Sequence, residues 1–174
     1  MTKIHEFYAK RRRFIIGSVI FTAASWVSAS IAVSSFRSEH RIGIDLNEVR
    51  CLPWRIYFIT YGRPALAKGT YVAFIARNGV MGPRFEGKLI GKQVAAVAGD
   101  RVIVKNDILY INGIKTAPLY LIKRLNATPG QFDRDEIVPS GKILALGTEP
   151  HSYDGRYWGW LDTGQIIAKV EPLI

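Results

Sequence analysis

The sequence predicts a mostly β protein, in which an N-terminal transmembrane helix is followed by an antiparallel β domain. Three observations predict it. Residues 14–36 (FIIGSVIFTAASWVSASIAVSSF) carry no charge and exceed the ~20 residues a bilayer span requires. Beyond them, short apolar runs are separated by Gly, Pro and Asn turn signals. No helical periodicity of any length returns after residue 36.

Charge orients the helix. The chain carries a net +10, and Lys3, Lys10, Arg11, Arg12 and Arg13 stand against only Glu6 before the apolar stretch. The positive-inside rule places residues 1–13 in the cytoplasm and everything after Arg37 across the membrane. Ala29 and Ala32 would suit a cleavable signal peptide. The stretch is longer than a signal h-region of ~7–15 residues, so an uncleaved single-pass anchor is expected. The remaining positive charge is scattered, with no basic run interleaved with aromatics. That pattern argues for a solvated face or an anionic lipid bilayer as partner, and against nucleic acid.

The rest of the chain divides accordingly. Residues 37–50 are polar and are expected to connect anchor and domain, leaving 51–174 as the folded domain; 174 residues with 48% hydrophobic content can bury one core. Residues 54–60 and 70–76 suit strands, with a turn at Gly62-Arg63-Pro64 between them. Residues 78–87, with three glycines and a proline, suit a loop. From Val94 to Gly99 no side chain is polar; Gly99-Asp100 turns the chain into the alternating residues 101–105. Lys105-Asn106-Asp107 leads to residues 108–111, and Asn112-Gly113 is a hairpin signal. Residues 117–135 stay undecided, because Pro118, Pro129 and Gly130 oppose a long helix. Residues 142–146 and 165–170 suit two last strands.

Three segments could carry chemistry. Lys92 heads the buried strand, where loss of water penalises an ammonium and a neutral amine would be a general base; the alternative is a lysine that snorkels to solvent. Cys51, in Cys51-Leu52-Pro53, is the chain's single cysteine. It excludes an intramolecular disulfide and any cysteine-based metal site. It is either a small buried hydrophobe or a thiol held by the following proline, and a free thiol in an oxidising compartment invites oxidation unless it has a use. Ser152, Asp154 and Arg156 lie in SYDGRYWG, which suits either a lysine-orienting site or an Asp-Gly turn with an Arg–Asp ion pair. His151, three residues before Asp154, could instead pair with Cys51. His5, His40 and His151 show no metal-ligand spacing, so no metal and no cofactor are expected.

These segments resemble boxes of the type I signal peptidase superfamily, the serine–lysine dyad peptidases. KQVAAVAGDRV, residues 92–102, is similar to the lysine box, and SYDGRYWG to the C-terminal box Ser-x-Asp-Ser-Arg-Tyr-Trp-Gly. CLPWRIY, residues 51–57, resembles the nucleophile box Ser-x-Pro-x-Gly-x-Tyr of the conjugative-transfer, TraF-like branch, with Cys in place of the nucleophilic Ser. The resemblance implies a β domain of signal peptidase type, with Cys51 as nucleophile and Lys92 as general base. It implies that Ser152 and Asp154 position the lysine, that Arg156 supports Asp154, and that the Cys51 backbone N–H serves the oxyanion. Besides that cysteine, further departures are visible: Arg55 stands for the glycine of the nucleophile box, Gly155 for the second serine of the C-terminal box, and Val49 offers no oxyanion-binding hydroxyl. Gly147-Thr148-Glu149 likewise departs from the Gly-Asp-Asn of the housekeeping enzymes.

The implied function is an endopeptidase of the bacterial inner membrane with a periplasmic catalytic domain, whose exposed apolar surface would rest on the bilayer. Its substrate would be a membrane-bound precursor: a pre-pilin in conjugative transfer or another signal-peptide-bearing protein. A thioester intermediate would also permit transfer to an amine, and so cyclisation. Two alternatives stand beside this: a housekeeping signal peptidase I, and an inactive peptidase-like binding module of a conjugation or secretion apparatus.

Overall fold

The computed structural model describes the backbone of residues 2–48 and 50–173, with side chains from residue 11 onward. The chain forms two compact units, residues 1–39 and 40–174. The first holds helix α1, Thr2–Glu39. Its stretch Arg11–Glu39 is long and apolar enough to cross a membrane. Three of its hydroxyls bond back to the helix. Thr22 donates to the Ser18 carbonyl at 2.9 Å, Ser34 to Ile31 at 3.2 Å and Ser38 to Ser35 at 2.7 Å, so each is satisfied within the helix.

The second unit is built of antiparallel sheets. Strands β1 (His40–Ile44), β2 (Ile56–Tyr61), β3 (Tyr71–Ile75), β4 (Leu89–Val97), β9 (Lys142–Leu146), β10 (Leu161–Asp162) and β11 (Ile166–Pro172) make one sheet in the order β1-β2-β11-β3-β4-β9-β10. Strands β5 (Arg101–Lys105), β6 (Ile108–Ile111), β7 (Ile114–Pro118) and β8 (Arg134–Ile137) make the other, in the order β7-β6-β5-β8. The only α-helix described in this unit is the single turn α2, Gly155–Trp158. The fold is the antiparallel β class that the alternation and turn signals predict.

Local chemistry accounts for the small sheet. Asn106 and Asp107, and then Asn112 and Gly113, all have positive φ, which a two-residue turn between twisted strands demands. Gly99, with φ +91°, turns β4 into β5. The Asp100 carboxylate fastens that corner, accepting from Val97 N–H (2.9 Å), Asn112 Nδ2 (2.7 Å) and Lys68 Nζ (3.0 Å). Burial opposes its charge, yet these three donors more than offset burial and hold its carboxyl below the usual range.

In two regions the structure supplies what the sequence left plain or undecided. The stretch 37–50 is not simply a connector: residues up to Glu39 continue α1, and His40–Ile44 pair with β2 as the edge strand β1. Its apolar residues Ile42 and Ile44 remain exposed, so no inward-facing pattern marks it in sequence. The undecided stretch 117–135 supplies the end of β7, a run of turns and the start of β8.

Candidate active site

Lys92 owes its position to the period of β4. Lys92, Val94 and Ala96 alternate onto the buried face, and all three are fully buried. The lysine therefore does not snorkel. Its Nζ donates to Ser152 Oγ at 2.7 Å, its one hydrogen bond among the described residues.

Ser152 is held by the loop between β9 and α2. The Asp154 carboxylate takes Arg156 in a two-pronged pair, Nε to Oδ1 at 2.9 Å and Nη2 to Oδ2 at 2.8 Å. It also accepts from the backbone N–H of Arg156 (3.1 Å), capping α2, and of Gly147 (2.9 Å). Both charges are buried, and the carboxylate oxygens are fully engaged. Burial lowers the Arg156 guanidinium, but the Asp154 bonds outweigh it and the net shift is upward. Arg156 further donates to the Ser152 carbonyl (3.4 Å) and the Pro118 carbonyl (3.0 Å).

Asp154 thus forms no hydrogen bond or ion pair with Lys92. Of the two residues expected to position the lysine, Ser152 contacts it and Asp154 holds the loop that carries Ser152. His151 is exposed, with its ring 6.4 Å from that of Tyr120, and Asp154 is committed elsewhere, so no Cys-His-Asp array forms among the described residues.

Cys51 reaches this cluster through its backbone. Its carbonyl accepts from Glu149 N–H at 3.3 Å. At Gly147 an added Cβ would collide with Ser152 Oγ and lie 2.6 Å from the Cys51 carbonyl oxygen. The Cys51 segment, Gly147 and the lysine-bound Ser152 therefore meet at one point. The Cys51 thiol is free and half-buried, and forms no hydrogen bond with Lys92. Leu52, buried beside it, packs with Tyr57, Ile59, Ala73 and Val170. Val49, two residues before Cys51, lies outside the described residues.

Cys51 lines a cleft of about 750 Å³ whose floor includes Tyr57 and Ile59 of β2, Val170 of β11 and Ala73 of β3. That volume falls within the range of ligand-binding clefts. Among the described residues no group of three His, Cys, Asp or Glu side chains could hold a metal.

A family model for signal peptidase, peptidase S26, matches residues 16–174. The chain belongs to that family. The peptidase is 32% identical to signal peptidase IB of Staphylococcus aureus (strain N315) over 172 residues, covering 90% of this chain and 79% of that protein. It is 38% identical to signal peptidase I of Bacillus caldolyticus over 91 residues, 46% of this chain and 50% of that protein. A crystal structure of a signal peptidase I from Enterococcus faecalis V583 aligns with 65% of the chain and 99% of its own length, with TM-score 0.38 and 23% identity. Membership rests on the first two findings, and makes the chain a hydrolase of the peptidase class.

Three further residues build the site in ways that sequence reading did not assign. Gly147 is needed for space rather than for an unusual backbone angle. Arg134 of β8 reaches α2, donating to the carbonyls of Gly155 (2.7 Å) and Arg156 (3.4 Å). Tyr157 Oη accepts from Leu121 N–H at 3.0 Å, tying the undecided stretch to the C-terminal box. Gly147 left a trace in sequence as the retained glycine of an otherwise altered Gly-Asp-Asn, and Tyr157 as the tyrosine of the box that SYDGRYWG resembles, whereas Arg134 left none.

Proposed function

We propose that this peptidase cleaves signal-peptide-bearing precursors at a membrane through a Cys51 thioester, with Lys92 as general base. The observation that supports it best is the fully buried Lys92 amine on Ser152 Oγ, in a loop that abuts the Cys51 backbone. In its neutral form, Lys92 takes the thiol proton as Sγ attacks the scissile carbonyl carbon. The backbone N–H of Cys51 receives the oxyanion. The C–N bond then breaks, and Lys92 returns the proton to the departing amine. Water, deprotonated by Lys92, hydrolyses the thioester and frees the thiol. Ser152 orients the amine, while Asp154 and Arg156 keep Ser152 in place.

A thiol, with an unperturbed pKa near ~8.5, needs less help from its base than a serine hydroxyl does. A basic N-terminus at 1–13, an anchor at 14–36 and a β domain that already begins with β1 would serve a single-pass inner-membrane protein with a cytoplasmic N-terminus and a periplasmic β domain. Exposed Ile42, Ile44 and Leu46 suit contact with the bilayer surface.

Cys51→Ala, Cys51→Ser and Lys92→Ala, each assayed for precursor processing, test the reading. Cys51→Ala and Lys92→Ala abolish processing and Cys51→Ser retains part of it; normal processing by all three would overturn the site.

The Cys-Leu-Pro spacing favours a narrower substrate, a pre-pilin of conjugative transfer. A thioester reacts readily with amines, so the acyl group could pass to the pilin's own N-terminus and close a ring. Mass spectrometry separates the outcomes, because a product carrying one added water is linear and excludes cyclisation.

A further inference from the structure

The cleft is electrically lopsided. Sheet order separates β1 from β4 by three strands, and the floor residues of β2, β11 and β3 lie between them. The β1 side bears Asp45 and Glu48, on the segment that runs into Cys51. The β4 side bears Arg84 and Lys88, on the segment that runs into Lys92, and Arg124 joins the lining from the turns after β7. An acidic side chain on one flank and basic ones on another leave opposite ends of a bound chain in opposite fields.

The cations are available. Arg84 and Arg124 are exposed and form no hydrogen bond or ion pair among the described residues. Lys88 stands 5.8 Å above the Phe85 ring, a contact that leaves its charge uncancelled. Glu86, which could neutralise its neighbours, is outside the lining and accepts from Gly79 N–H at 3.2 Å. The floor beneath is apolar, with Ile59, Ala73, Met81 and Ile90. A substrate carboxylate at that flank would meet guanidinium groups suited to two-pronged binding.

We propose that Arg84 and Arg124 are specificity-determining residues that select precursors with an acidic side chain near the scissile bond. This rests on the cleft being the peptidase site argued above. Asp45 and Glu48 repel such a residue from the opposite flank, so the charge also sets the direction in which the substrate lies.

The test uses the full chain in anionic-lipid-free vesicles and one precursor with Asp, Asn or Lys placed in turn at each of about five positions on either side of the cleavage point. At one or two adjacent positions Asp raises kcat/KM about threefold to tenfold over Asn, and Lys lowers it. Arg84→Glu combined with Arg124→Glu inverts that order, whereas Lys115→Glu, on β7 and outside the cleft, leaves it intact. The preference shrinks as salt rises. Equal cleavage of Asp and Asn precursors at every position would overturn the selection and leave the peptidase reading standing. So would a preference that survives the double reversal. Failure to cleave any precursor, with Cys51→Ala indistinguishable from the parent, would overturn both.

Discussion

Ser152 occupies the space that a side chain on Gly147 would need, and from that space it holds the buried amine of Lys92. Gly147 is itself fixed, since its N–H donates to Asp154 Oδ2 at 2.9 Å. The glycine therefore cannot retreat without breaking a buried bond to a charged acceptor.

Gly147→Ala follows directly. The added methyl must displace Ser152, the Cys51 carbonyl or both. A shift of about 1 Å at a catalytic group costs on the order of 100-fold in rate. Precursor processing should fall by about that factor, while thermal unfolding shows a smaller loss of about 1–3 kcal/mol from overpacking. A variant that unfolds a little more easily yet processes at the parental rate would separate Gly147 from the chemistry.

The Asp154–Arg156 pair makes a prediction about stability. Arg156→Ala leaves the Asp154 carboxylate buried with two backbone donors and no countercharge, at a cost of about 3–5 kcal/mol. It also frees the carbonyls of Ser152 and Pro118. Denaturant unfolding should show the full loss. Arg156→Ala with Asp154→Asn should recover part of it, because the uncompensated charge is gone. An additive double variant would mean that the two side chains do not act as a unit.

What the sequence disclosed depended on whether a residue's surroundings are local. The burial of Lys92 follows from alternation with Val94 and Ala96, and the small sheet follows from Asn106-Asp107 and Asn112-Gly113, because periodicity and turn angles are written in neighbouring residues. Strand β1 was hidden because Ile42 and Ile44 do not face the core and its only described strand partner, β2, begins twelve residues later. The Asp154–Arg156 pair was one of the two readings that SYDGRYWG allowed, and what the sequence left open was the choice between that pair and a direct contact with Lys92. Arg134, a charged residue in a weakly patterned stretch, gave no sign that it would grasp α2.

Gly155 was legible as a departure but not as a necessity. A Cβ there would lie 2.8 Å from Leu144 Cδ1 and 3.0 Å from the Ala145 carbonyl. Gly155→Ser, which restores the serine of the box that SYDGRYWG resembles, should therefore destabilise this chain by about 1–3 kcal/mol. Leu144→Ala removes the nearer obstacle. Placed together with Gly155→Ser it should cost less than the two changes separately, as a double-mutant cycle on unfolding free energy would show.

Tyr57 supplies a pH signature for the wall beside Cys51. Its hydroxyl donates to the Trp54 carbonyl, and burial, reinforced by the nearby Asp45 carboxylate, pushes its pKa from 10.0 to about 12. The folded state holds the proton more tightly than the unfolded chain. The resulting stability is fully present below pH ~10 and is lost as pH rises towards ~12. Other tyrosines and lysines titrate in the same window, so the informative quantity is the difference between the parent and Tyr57→Phe. Measured by denaturant unfolding, the parent's advantage over Tyr57→Phe should be constant from pH 7 to about 9 and shrink between about 10 and 12. An advantage that stays constant through that window would mean that the Tyr57 hydroxyl keeps its proton no more tightly in the fold than in the open chain.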